Sequence, residues 1–484
     1  MHSDFHLQFC PSVRLDTNDE DWLITRGLDV RLRQLKPGPA ARALLQSLAD
    51  SGGRADKLIV EAQAAEPNAP GANLYFLLHA LEQRGLLSYG LVQGSKLLAT
   101  LEPMTQGFHL LAPVPDPAAR YRLSRFAILR RDGEYCLVES PLGHARLRLY
   151  EARLAAMAAD LAKPQTSASL AAVLPDLTPA NVAGLIRLLM SLGGAFVCDE
   201  AGLIAEDHAA ALRQWEAHDL VFHTRSRLGR HDYPLGGTFR FAGKLPHAPA
   251  LKPPGPGKRI VLPRPVATPV PNPSQTGPNF FAVLEARRSI RQAGTQPLTI
   301  NQLGILLWHV ARVQVHRPAD PNDPKAYEAT LRPVPGGGAM HELELYLTVT
   351  RCSGLEPGLY RYDPGTHTLE WVAATSADSA GLLRDAMRAA AMETPPDVLI
   401  TLAARFARMA WKYEGMAYAA ILKHVGVLYQ QLYLVATALG LAPCALGAGD
   451  SQRFAAAAGT LYYEEASVGE FALSGPPQIQ KALA

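Results

Sequence analysis

Hydrophobic and polar positions alternate with a period of two in two well-separated hairpin-like stretches, SVRLDTNDEDWLITRG (12–27) and FAILRRDGEYCLVES (126–140). Asp132-Gly133 is a strong two-residue turn signal in the second. Further on, each pattern switches to helical spacing and then back to a short apolar strand. RLRQL (31–35) is echoed by RLRLY (146–150), and LLHALEQRGLLSYG (77–90) by LIRLLMSLGGAFVC (185–198), with Gly85 and Gly193 in matching places. A helix that ends in glycine and runs into an apolar strand is the last helix and wing of a winged helix. The pattern therefore predicts two copies of one small α+β module, 1–112 and 113–225.

A connector is expected next, at 226–278. Residues 245–278 hold 11 prolines, which excludes a helix or a central strand there. From 279 onward helices and strands alternate again. Helices are predicted at 279–290, 299–312 (Thr299 as N-cap), 376–392 and 415–439. Strands are predicted in ELELYLTVTRC, GLYRYDPGTHTLEWV (turning at Asp363-Pro364-Gly365), DVLITLAAR, PCALGAG and VGEFALSG. The whole chain reads as α+β, with 279–484 as its largest domain.

Composition narrows the function. At 484 residues the chain has room for roughly three domains of about 150 residues. A net charge of +3 is small for this length and points away from nucleic acid and anionic membranes. The first module carries 10 Lys and Arg against 12 Asp and Glu, the second 12 against 13, so neither offers the basic face that duplex binding needs. A peptide partner adding a strand to an open sheet edge suits such neutral modules better. Five scattered cysteines supply neither a disulfide framework nor metal-ligand spacing. With no signal-peptide pattern at the N-terminus, a cytoplasmic location is expected. Residues 425–449 lack formal charge, but Gln430, Gln431 and Pro443 interrupt them, so a buried helix and a core strand are expected rather than a membrane span.

Three stretches carry candidate chemistry. LEARRSIRQ (284–292) gathers Arg287, Arg288, Ser289 and Arg291 without an obvious paired acid. On a helix Arg287 and Arg291 would share one face, a suitable grip for an external phosphate. RPVPGGGAMHELELY (332–346) places Gly336, Gly337 and Gly338 before a strand, and ALGAGD (445–450) is a second glycine-bearing loop. Both would let backbone amides approach a flat or anionic ligand closely. No GxGxxG follows an early strand, so a nucleotide-like cofactor is expected without a Rossmann site.

Taken with GLEPGLYRYDPGTHTLEWV, WKYEGMAY and ILKHVGVLYQQLYLVATALGL, in this order over about 200 residues, these motifs resemble the FMN-dependent nitroreductase superfamily. More narrowly they resemble the SagB-type (McbC-like) azoline dehydrogenases, and two modules followed by an oxidase domain are similar to the cyanobactin-type azoline oxidases. The resemblance implies FMN as cofactor, gripped by Arg287, Arg288 and Ser289 at the phosphate and Arg291 near the pyrimidine edge. It implies Pro335, Gly336, Gly337 and Gly338 packed on the ring, a backbone N–H of Leu446 or Gly447 facing flavin N5, and Gln430 beside the flavin. Lys412 and Tyr413 match the catalytic Lys-Tyr pair of the azoline oxidases. It further implies a homodimer, N-terminal modules that clamp a leader peptide, and as partners an azoline-bearing precursor peptide and a cyclodehydratase.

The chain departs from the family pattern at three places. Pro335-Gly336 stands where a proline-serine-glycine form is usual, Gly426-Val427 where Gly-His is frequent, and Ala419 rather than arginine follows Tyr418. Two other readings stay open at this level. One is a general NAD(P)H-dependent nitro- or quinone-reductase, and the other a non-catalytic peptide-binding scaffold. On residue type alone Lys412-Tyr413 also reads as a snorkelling lysine beside a half-buried tyrosine, and His309, His341 and His424 as structural histidines.

Overall fold

In the computed structural model, residues 4–17, 21–26, 29–111, 114–174, 176–265 and 278–477 are described. They divide into two units, Met1–Tyr233 and Pro234–Ala484.

The first unit shows the repeat in three dimensions. Strand His6–Phe9 pairs with Gly53–Arg54 and Leu87–Gln93, and strand Arg120–Leu123 pairs in the same way with Gln165–Thr166 and Ala195–Val197. Between these strands lie three helices in each copy: Pro39–Asp50, Ala55–Ala65 and Gly71–Gln83, then Ala152–Asp160, Ser167–Val173 and Pro179–Ser191. Gly85 (φ 64°) and Gly193 (φ 70°) each turn the last helix into its strand, a left-handed conformation in which a side chain would be strained. The copies are not separate bodies. Strand Lys96–Pro103 of the first pairs antiparallel with Ala145–Leu149 of the second, giving one seven-stranded sheet. A single apolar core runs through both, from Phe5 to Ala195.

The second unit is a seven-stranded antiparallel sheet. Its order is Arg259–Val261, Thr368–Ala373, Gly358–Asp363, Leu343–Val349, Val398–Arg405, Glu465–Ser474, Ala442–Leu446. Both central strands are buried along their whole length, which demands cover on two faces. Alternation supplies it. Leu343, Leu345, Leu347 and Val349 pack in the cluster that includes helices Ile300–Ala311 and Ala417–Ala438. Tyr346 packs on the other side with Leu382 and Phe454, from helices Ala377–Ala390 and Ser451–Ala458. Thr299 caps its helix as expected, in a reciprocal capping box with Gln302. The segment 425–449 is a helix followed by a core strand, and no described helix is long and apolar enough to cross a membrane.

Two expectations change. The helix at 279–290 stops at Ala286: Arg287 has φ −58° and ψ 122°, and Arg287 to Arg291 lie outside regular secondary structure. Their chain is taken up by the neighbouring strand, where Ile290 N–H donates to Pro443 C=O at 2.8 Å. And of the connector 226–278, residues 234–265 are built into the second unit. Gly236–Gly237 pairs with Tyr413–Glu414, Arg259–Val261 forms the sheet edge, and Ala250 is fully buried. The prolines at 266–277 lie outside the described residues.

Prolines carry a carbonyl but no N–H, so this strap offers acceptors and few donors. Buried arginines supply the donors. Arg405 donates to Pro249 and Ala250 C=O at 2.9 and 3.2 Å, and Arg361 to Pro253 C=O at 3.2 Å. Arg408, fully buried in the short helix Phe406–Ala410, donates to Ala248 C=O at 2.6 Å, to Met340 C=O at 2.7 Å, and to Glu328 C=O. Arg408→Met keeps the stem and removes all three bonds, leaving the Met340 and Glu328 carbonyls without their side-chain donor and Ala248 C=O with only a long contact to His247 Nδ1, at 3.3 Å. We expect a loss of about 2–4 kcal/mol in the unfolding free energy of the second unit. Urea unfolding followed by tryptophan fluorescence checks it; a loss below about 1 kcal/mol would contradict this role for Arg408.

Candidate functional site

The sequence-predicted residues come together in two groups, linked by the helix Ala417–Ala438. The first group surrounds the arginine stretch. Because that stretch is not helical, no helical turn brings Arg287 and Arg291 together; Arg287 and Ser289 instead both meet Tyr433. Tyr433 organises them. Its ring lies 5.3 Å beneath the Arg287 guanidinium, and its hydroxyl is 2.6 Å from Ser289 Oγ and accepts from Ala445 N–H at 2.8 Å. Arg291 is exposed near Cys444, whose thiol is pushed up by burial and drawn partly back by that cation. Arg288 is exposed and donates to the Ala286 carbonyl at 3.4 Å. Among the described residues Arg287, Arg288 and Arg291 form no ion pair with a carboxylate. Leu446 is buried and Gly447 exposed, and a Cβ on Gly447 would meet nothing within 4 Å. Beside them Glu470 is buried, its carboxyl pushed up by desolvation, and it leaves no room for a Cβ on Gly449.

The second group surrounds the glycine loop. Gly338 takes φ 60° and is followed by Ala339 at 55° and His341 at 45°, so the loop holds three left-handed residues within four positions. Lys412 and Tyr413 converge on it: a Cβ added to Gly338 would stand 2.4 Å from Lys412 Nζ and 2.7 Å from Tyr413 Oη. Glycine is required there by both the backbone and the approach. Gly337 N–H donates to His424 Nε2 at 2.8 Å, and His424 Nδ1 donates to Glu342 Oε1 at 2.7 Å, which orients the ring through a wholly buried carboxylate. The His341 ring packs against Gly336.

Residues that sequence reasoning missed complete this group. Tyr327 accepts a hydrogen bond from Lys412 Nζ and donates to Gly338 C=O at 2.9 Å. Lys412 Nζ lies over three aromatic rings, those of Tyr327 at 4.5 Å, Tyr413 at 5.2 Å and Phe239 at 5.4 Å. Tyr327 sits in a loop without periodicity, and Phe239 in the stretch expected as a connector, so neither carried a signal. His424 was seen but expected to be structural; its bonds to Gly337 and Glu342 make it the support of the loop.

Gln430 is exposed on the helix between the groups. His424 and Tyr433 are nine residues apart on that helix, which is about 14 Å along the axis and half a turn in direction. The glycine loop and the arginine stretch therefore meet the helix on opposite sides.

An antiparallel α+β domain with unpaired arginines at one end and a lysine-tyrosine pair over a glycine loop at the other defines an oxidoreductase of the nitroreductase class. Residues 284–468 match the nitroreductase family, and residues 121–232 match the cyanobactin oxidase family ThcOx. A provisionally named nitroreductase of Methanocaldococcus jannaschii is 30% identical over 166 residues, which cover 34% of this chain and 77% of that protein. The chain belongs to the nitroreductase family. Among solved structures it is similar to a provisionally named nitroreductase of Ralstonia eutropha (21% identity, 49% of this chain and all of the other, TM-score 0.35). It is also similar to the E. coli microcin synthetase McbBCD complex with truncated pro-MccB17 bound (20%, 53% and 91%, TM-score 0.34).

His341 makes this site pH-sensitive. Burial first, then the cations Arg332 and Arg408 and the neighbouring His424, hold its imidazole down at about 3. The unfolded chain binds this proton below about 6.5 and the folded chain does not, so stability falls as pH drops from 6.5 towards 3. From pH 7 to pH 5 this one residue costs about 2 kcal/mol. Asparagine tolerates the left-handed backbone, so His341→Asn should fold and lose that part of the slope. Urea midpoints at the two pH values check it; equal slopes in both proteins would reject the assignment.

Proposed function

We propose that the protein is an FMN-dependent azoline oxidase, which aromatises thiazoline or oxazoline rings on a ribosomally made peptide. The observation that carries this is the convergence of Lys412 Nζ and Tyr413 Oη on Gly338. The match of one segment to the cyanobactin oxidase family supports it.

The residues fit the cofactor. Three arginines without carboxylate partners and a serine hydroxyl suit a phosphate, and the open space over Gly447 admits the edge of a flat ring. Arg287, Arg288 and Ser289 would hold the phosphate, Arg291 and Gln430 would contact the rest of the cofactor, and Leu446 and Gly447 would offer backbone amides. FMN bound there supplies the hydride acceptor that aromatisation requires. The chain's own part is to place the azoline over the glycine loop and to remove the α-proton. Lys412 Nζ donates to Tyr327 and Tyr327 to the Gly338 carbonyl, a chain that orients the amine as a base, and Tyr413 borders the same space. His424 and Glu342 keep the loop in place beneath it.

Two arms of one experiment test the reading. Lys412→Ala and Tyr413→Phe should keep FMN and slow azoline oxidation by about 10²–10⁴-fold, read by mass spectrometry as the loss of two hydrogens per ring. Lys412→Arg should not rescue, since arginine cannot accept the proton. Arg287→Ala should instead lose FMN, because a charge-assisted contact contributes about 1.5–3 kcal/mol. Wild-type oxidation by the Lys412 and Tyr413 variants, or rapid NADPH-driven flavin turnover without azoline oxidation, would favour a general reductase.

The working form is a homodimer. Within one protomer the two groups lie on opposite sides of the long helix, and that helix exposes Tyr418, Leu422, Gly426 and Gln430 at fourfold spacing without a charge among them. A second copy covering this stripe would bring its glycine loop towards the first copy's arginines. Leu422→Glu should yield a monomer with reduced FMN occupancy in analytical ultracentrifugation; a fully loaded wild-type monomer would reject the dimer. The N-terminal unit we assign to the precursor peptide's leader, with a cyclodehydratase as the enzyme supplying the azolines.

A further inference from the structure

A cavity of about 250 Å³ lies in the first unit, far in sequence from the proposed flavin site. It opens between the strand pair Ile128–Asp132 and Tyr135–Glu139 and the helix Ala217–Arg225. Its size is below the roughly 300–1,000 Å³ of cofactor and drug-sized sites, so it suits one side chain or one small acid.

Its lining is of two kinds. Met104, Ile128 and Val221 make an apolar wall, while Arg130, Arg225 and Arg230 share the rest of the lining with a single carboxylate, Glu139. That carboxylate is already fully engaged. It takes Arg225 at 2.7 Å and Arg130 at 3.1 Å on one oxygen, and the Tyr233 hydroxyl on the other. His231, 6% exposed, is also spent: Nδ1 accepts from Tyr233 N–H at 3.2 Å and Nε2 donates to Arg225 C=O at 3.1 Å. What is left over is cationic. Arg225 is stacked 3.8 Å from the Tyr233 ring, and its Nη1 is buried with no hydrogen-bond partner. Arg230 makes only long contacts, at 3.3 and 3.4 Å, to the Leu142 and Pro141 carbonyls. A buried guanidinium N–H without an acceptor is costly, and here it is held in place by a stacked ring rather than allowed to turn to water.

We infer that this cavity binds a carboxylate on an apolar stem, with Arg225 Nη1 and Arg230 as its donors and Met104, Ile128 and Val221 around the stem. Such a group is the side chain of a glutamate flanked by apolar residues in a peptide, or a free small branched acid. A phosphate would match the charge but not the apolar wall.

The test is isothermal titration calorimetry on the full chain at low salt with three probes: acetyl-Leu-Glu-Leu-amide, its Gln counterpart, and 4-methylpentanoate. The Glu peptide or the free acid should bind, and the Gln peptide should bind at least about tenfold more weakly. Tighter binding of the peptide identifies a peptide source, and tighter binding of the free acid a metabolite source. Arg225→Lys keeps the charge facing Glu139 while removing the second fork nitrogen, and Arg230→Gln alters an exposed residue without an ion pair, so its fold should hold. Each should weaken carboxylate binding about tenfold. No heat from either carboxylate up to about 10 mM, or an unchanged affinity in Arg230→Gln, would overturn the site.

Discussion

One guanidinium sets the geometry of the second unit's site. Arg408 lies four residues before Lys412, and its three hydrogen bonds end on Met340, Glu328 and Ala248. Met340 closes the glycine loop that begins at Pro335, and Glu328 follows Tyr327. Ala248 belongs to the proline-rich strap that also delivers Phe239. A single buried charge therefore ties together the four chain segments that surround Lys412 Nζ. It is satisfied by carbonyls rather than by a carboxylate, and burial together with Arg405 and Arg332 pulls it down to about 10. Such an arrangement is stable only if every acceptor stays in position, which makes the site rigid as a by-product of satisfying the strap.

The sheet explains why the site has two halves. A strand buried on both faces needs helices on both, and the loops that join strands to helices then fall at the sheet's ends. The glycine loop enters strand Leu343–Val349 and the Gly447 loop leaves strand Ala442–Leu446, at opposite margins of the helix Ala417–Ala438. Half a turn separates His424 from Tyr433 on that helix. A ligand that needs both halves cannot be enclosed from one side of one helix, and on that helix Tyr418, Leu422 and Gly426 are exposed.

Local chemistry was legible in the residues where one residue type has one physical use. Thr299 with Gln302 announced a capping box, Gly85 and Gly193 announced helix ends, and the buried strands announced themselves by apolar runs. The grouping of Lys412 and Tyr413 with the glycine loop was reached only through family resemblance, since nothing in the spacing of positions 338 and 412 brings them together. Tyr327 and Phe239 escaped for the same reason. The arginine stretch was read with the wrong period: LEARRSIRQ has good helix formers, but Ile290 gives its N–H to Pro443, and a strand edge in need of a partner outweighed a propensity of a few tenths of a kcal/mol per residue. Proline content likewise marked the strap as non-helical but said nothing of the arginines that would hold its carbonyls.

The N-terminal repeat shows where pattern stops and pairing begins. Both copies carry a polar-apolar hairpin between the first strand and the first helix, and RLRQL and RLRLY occupy its last strand in each. In the first copy the three strands Val13–Thr17, Asp21–Arg26 and Asp29–Leu35 pair, among the described residues, only with each other. In the second, Ala145–Leu149 reaches out and pairs with Lys96–Pro103, joining its hairpin to the other copy's sheet. The alternation and the Arg-Leu-Arg run are alike, but the partners of the charges differ. Arg146 and Arg148 both pair with Glu102, 2% exposed, across the new ladder, at 2.9 and 2.7 Å. A carboxylate buried on one strand needs cations from the next, and the second hairpin supplies two at the register where Leu147 meets Leu101, whereas Arg33 of the first hairpin is paired with Asp21 on its own neighbouring strand. Period two specifies that a strand forms; a buried charge with one set of matching partners specifies which strand it joins.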